Sequence, residues 1–202
     1  MNKKYELTDE TCKVAGKTLY RIRALRDIDL FGVNTGDLGG FVEDTYNLSQ
    51  DGDAWVFDDA QVFDDAQVFD NARVSDNAEV YGNAHVSGDA QVYGNARVYG
   101  NAHVSGNAYV YGSSRVFDNA HVFDDARMYG NAHVSGDSHV SGESHVFGNA
   151  QVYGNAEVYG DARVFDNAHV FDDACVFGDA YVYGNARVSG NAYVDGNTVI
   201  DS

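Results

Sequence analysis

The chain has 202 residues, enough for one domain or one repeat array, and its 44% hydrophobic content is that of a folded protein. Its 13 Lys and Arg against 31 Asp and Glu give a net charge of -18, a surface that repels DNA and anionic membranes and favours cations or basic proteins. No apolar run approaches the roughly 20 residues that span a bilayer, and the opening MNKKYELTDETCK has neither secretory nor targeting character. The sequence therefore reads as cytoplasmic, with no membrane or nucleic-acid partner. Cys12 and Cys175 lie far apart and outside any metal-binding spacing, which fits a reducing compartment.

In chain order, YELTDETC and TLYRIRALRDI alternate as two strands around the turn VAGK. Lys3, Lys4, Lys13, Lys17, Arg21, Arg23 and Arg26 make this segment locally basic, whereas no lysine follows Ala54. Residues 1–40 are expected to form a β-rich N-terminal cap, and residues 41–202 the body of the molecule. Val42 and Leu48 already stand six apart, but Leu48 to Val56 is eight, so a two-residue bulge or loop interrupts the first coil.

From Val56 to Val194 a valine recurs at every sixth residue, Met128 being the one substitution, and Ile200 continues the register. Ala stands two before each, replaced only at Ser114, Ser138, Ser144 and Thr198. Residues two apart in a strand face the same side, so Ala and Val point inward together and their neighbours outward. Pairs such as Gly-Asn, Asp-Asn and Asp-Asp tolerate left-handed and turn dihedrals and bend the chain between strands. A six-residue period makes no helical stripe. Short strands and corners remain; three sides close a triangle, and stacked triangles pair their strands in parallel about 4.8 Å apart. The absence of proline agrees with continuous backbone ladders. The far end, DGNTVIDS, carries no cap, and its rim is expected to meet a partner subunit.

This pattern resembles the hexapeptide-repeat, left-handed parallel β-helix of bacterial acyltransferases. The resemblance supplies the left hand and the 18-residue coil, hence about eight triangular coils over residues 54–200 and a rod of roughly 40 Å. The phrases LYRIRALRDI, GDLGGFVE and NLSQDGDAWV, followed by the hexads, are more specifically similar to the YdcK-like proteins of enterobacteria and their phages. YdcK-like proteins have been labelled transferases by analogy of fold.

An 18-residue coil sorts the outward residues into three faces. The face through Val56 carries ten aromatics, against six and five on the faces through Val62 and Val68. Trp55, Tyr93, Tyr109, Tyr111, Tyr129 and Tyr183 are the expected interface of a homo-oligomer; the alternative is that the rings stabilise adjacent coils with no partner. His85, His103, His121 and His139 form a column on the third face, with Ser87, Ser105 and Ser141 beside it. These histidines are the candidate metal or anion ligands, and His103 or His121 the candidate general base, weighed against a plain outward polar slot copied by duplication. Asp89, Asp125, Glu143, Asp161 and Asp179 align on one edge as solvated carboxylates or weak calcium ligands.

Three functions compete. A non-catalytic, self-associating scaffold or protein-binding rod leads, needing no cofactor. An acidic rod that occupies a host protein's DNA groove is the second. The third, implied by the resemblance, is acyl-coenzyme A-dependent acyl transfer, against which stand the uninterrupted coils and the acidic surface.

Overall fold

The computed structural model describes residues 3–201. Tyr5–Val14 (β1) and Lys17–Ala24 (β2) form an antiparallel hairpin. Its loop, Ala15 and Gly16, has φ of 50° and 84°, the left-handed pair whose twist matches the flanking strands. Leu38–Val42 (β3) pairs antiparallel with β2 and parallel with Gln61–Val62, so the hairpin sheet runs directly into the repeat array. Glycine is required at this junction. A Cβ on Gly39 would lie 2.5 Å from the Val56 carbonyl oxygen, and one on Gly40 2.6 Å from that of Ala60.

Of the 28 strands among the described residues, the last 25, from Trp55–Val56 to Val199–Ile200, are two residues long and six apart. Each pairs in parallel with strands eighteen residues away, as Gln91–Val92 does with Arg73–Val74 and Tyr109–Val110. The result is three sheets of eleven, nine and eight strands, an all-β parallel solenoid. Phe41–Val42 and the bridge from Leu48 to Val68 supply a turn below Trp55. Added to the eight turns expected over residues 54–200, this lowest turn, outside the strict hexad register, gives the solenoid about nine.

The inward Val and Ala residues are buried along almost the whole array, each aliphatic side chain contributing about 1.5–3 kcal/mol by leaving water. Where Ser replaces Ala, its buried hydroxyl finds a carbonyl: Ser114 Oγ donates to Tyr111 O at 2.8 Å and Ser138 Oγ to Ser135 O at 2.8 Å. Between turns, the residues just before and just after an inward valine donate to carbonyls seventeen residues on, as Trp55 N does to Ala72 O at 3.0 Å.

The corners hold a regularity beyond turn tolerance. Asp58, Asp64, Asp70, Asp76, Asp118, Asp124, Asp166 and Asp172 all have φ of 52–61°. Each accepts, through Oδ2, the backbone N–H of the residue eighteen later, at 2.8–3.3 Å. Aspartate thus offsets its left-handed strain by satisfying a corner amide that glycine would leave to solvent.

The hairpin covers the lowest turn. Tyr5, Ile22, Ile28 and Val33 belong to one core with Leu48, Trp55 and Val56. The two extra residues between Leu48 and Val56 make a loop that grips the N-terminal strand: Gln50 Oε1 accepts from Lys4 N at 2.7 Å, and buried Lys4 Nζ donates to Ala54 O at 2.8 Å. Burial, with Arg26 nearby, lowers the Lys4 pKa to about 8. The basic character of the cap is met by acids of the array: Lys17 pairs with Glu43 at 2.9 Å and with Asp64, and Arg21 with Asp59 at 3.2 Å.

Candidate functional site

From Trp55 onward the aromatic and histidine side chains stand in two outward slots, just before or just after an inward valine or its equivalent. On the face through Val56 the later slot builds a ladder of rings, Tyr93, Tyr111, Tyr129, Phe147, Phe165 and Tyr183. Successive centroids are 4.7–5.1 Å apart and the planes within 11° of parallel. The rungs of the sheet impose this spacing, and each ring is half-buried by its neighbours. Ring edges, not faces, therefore meet solvent.

Two of the expected interface residues stand apart from this ladder. Trp55 is 0% exposed and packs edge-on against Tyr5 with centroids 6.3 Å apart, so it is a core residue under the cap and no part of an outer surface. The sequence register places it outward, but the hairpin covers that lowest rung. Tyr109 occupies the earlier slot, where Arg127 lies over its ring at 5.6 Å.

The histidine column exists as a row of neighbouring rings. His85 to His103, His103 to His121 and His121 to His139 have ring centroids 4.8, 4.8 and 5.1 Å apart. Burial and the neighbouring imidazoles lower the pKa of His103 and His121. Burial, aided by arginines, does the same for His133 and His145. The middle pair is stacked, its planes 21° apart, whereas the two outer pairs meet edge-on at 68° and 70°. Among the described residues no group of three or more His, Cys, Asp or Glu side chains is arranged to hold a metal ion. Neither His103 nor His121 hydrogen-bonds a carboxylate among the described residues.

The edge carboxylates are all exposed. Asp89 accepts from Asn71 Nδ2 at 3.0 Å and Asp125 from Asn107 Nδ2 at 2.9 Å. Glu143, Asp161 and Asp179 continue the column one turn at a time.

The sequence shows serine gaps beside the histidine column at Ser87, Ser105 and Ser141, but what fills or leaves open each gap in the ring columns it does not show. Serine stands in the later slot at Ser75, Ser87, Ser105, Ser135, Ser141 and Ser189. At Ser75 the gap is filled from within: the Arg73 guanidinium lies 4.5 Å over the Phe57 ring, and Ser75 is only 3% exposed. The same device recurs at Ser189, where Arg187 covers Phe171 at 4.9 Å. The signal was available as an Arg two residues before a Ser and sixteen after an aromatic.

The sequence model of the family described as YdcK Beta solenoid repeat matches residues 66–80, 90–106, 150–163 and 180–200. No curated protein matches the chain. No helix among the described residues is long and apolar enough to cross a membrane.

Proposed function

We propose that this chain, a YdcK-like β-solenoid repeat protein, is a non-catalytic rod that associates with itself or holds another protein along its length. The observation that carries this reading is the six-ring ladder from Tyr93 to Tyr183, a straight half-exposed apolar stripe on one face. Arg127 and Arg163 beside it offer the polar rim that protein interfaces carry. A second copy is the simplest partner, since the same stripe on both subunits makes an isologous contact. Sedimentation velocity on the full chain and on Tyr111→Glu tests this. An oligomer that becomes a folded monomer in the variant supports the reading, and a monomeric parent chain, or an unchanged oligomer, defeats self-association through this face.

An acidic rod for a basic groove is the second reading. It is favoured by Asp125, Glu143, Asp161 and Asp179, exposed on four consecutive turns. Partner capture from bacterial lysate that vanishes at high salt, and in a variant with those four changed to Asn or Gln, would favour it over the first.

A further inference from the structure

On the face through Val68, a single ring is missing from the column of Phe123, Ser141, Tyr159 and Phe177. The Tyr159 and Phe177 rings stack at 5.0 Å. Below them, Phe123, His139, Ser141, Glu157 and Tyr159 line an open notch of about 380 Å³. Phe123 and Tyr159 are two turns apart, roughly 9.6 Å, which leaves one ring-thick space between them.

His139 does not fill it. The imidazole packs edge-on to Phe123 at 6.3 Å, as His145 does to Tyr129 at 6.1 Å. In the latter case Phe147 still stacks on Tyr129 at 4.7 Å. The place that Phe147 takes there is open at Ser141.

The chain itself indicates what suits such a place. At Ser75 a guanidinium lies over the ring below, its carbon 4.5 Å from the centroid, and the remaining notch there measures about 190 Å³. An outward Glu also pairs with an outward Arg one turn away, Arg97 Nε meeting Glu79 at 3.2 Å. At Ser141 the earlier slot holds histidine in place of arginine, while exposed Glu157 stands on the rim. The geometry points to the Ser141 notch as a binding site for a guanidinium: an arginine side chain of a protein partner, stacked between Phe123 and Tyr159 and paired with the Glu157 carboxylate. A planar cation matches both the slot and the net charge of -18. This inference rests on the protein-binding reading and names the chemistry of the partner.

The gap at Ser135 is an internal control. It lies between Phe117 and Tyr153 beside His133, but the rim residue is Gln151.

Titration of the ¹⁵N-labelled full chain with N-acetyl-arginine amide, followed by amide chemical shifts, tests the site. Saturable shifts are expected at His139, Ser141 and Tyr159, with the lysine counterpart roughly ten-fold weaker. They should be lost in Ser141→Phe, which fills the slot with a ring the fold accepts elsewhere, and weakened in Glu157→Gln. Absence of a saturable response overturns the site, as does an equal response to lysine amide or to a phenylalanine amide, or one that survives Ser141→Phe. Partner capture that persists in Ser141→Phe would overturn this notch as the docking point while leaving the rod reading intact; a parent chain that neither self-associates nor captures a partner would defeat the protein-binding reading itself.

Discussion

Asp64 accepts the backbone N–H of Gly82, eighteen residues later, at 3.1 Å, while holding a φ of 58°. One side chain thereby joins two turns at a corner where the sheets themselves are interrupted. Asp118→Ala keeps the left-handed strain and loses the bond, so it should cost about 1–2 kcal/mol, whereas Asp118→Gly removes both and should lie within about 0.5 kcal/mol of the parent chain. Urea denaturation orders the two variants, and a harmless Ala would refute the corner argument.

Glycine corners obey a different constraint. A Cβ on Gly106 would sit 2.7 Å from the Asp124 backbone nitrogen, but one on Gly190 meets nothing within 4 Å. Both have positive φ, 67° and 62°. Gly190→Ala should therefore cost about 1 kcal/mol from the backbone alone and Gly106→Ala at least about 1 kcal/mol more. Equal losses in thermal denaturation would mean that the turns separate easily.

Phe147 stacks on Tyr129 at 4.7 Å and on Phe165 at 4.8 Å, while Phe69 contacts only the edge of His85. Phe147→Ala is expected to cost about 1–3 kcal/mol more than Phe69→Ala, the worth of two ring pairs. In the other direction, Ser135→Tyr should close the column between Phe117 and Tyr153 and raise the melting temperature. Calorimetry on these three variants separates ladder energetics from interface formation.

The histidines set a pH dependence. His103, His121, His133 and His145 have pKa values below the ordinary 6.5 in the folded chain. As pH falls through about 6.5 the unfolded chain takes up protons that the folded chain refuses, so stability drops, then levels once the folded histidines also protonate. The double variant His103→Gln, His121→Gln should flatten the profile between about pH 7 and about pH 5. Gln91 and Gln151 show that glutamine fits this slot. Urea midpoints across that range check the slope, and an unchanged slope would mean the stacked imidazoles feel no burial.

The six-residue period of valine and the Gly or Asp at each corner determined, by themselves, the strands, the inward and outward slots and the stacking of residues eighteen apart, because backbone pleat and turn dihedrals are local. They also placed the rings of Tyr93 and Tyr111, and the four histidines, in columns. Only the tertiary structure decided what those columns are. Trp55 is buried because a hairpin distant in sequence folds over its rung; the four histidines of one column meet edge-on at its ends and stacked in its middle, a choice of side-chain rotation that the backbone period leaves open; and an arginine beside Ser75 closes a gap that stays open at Ser141. Each outcome depends on which side chains meet across turns, and contact through space is what a linear period does not encode.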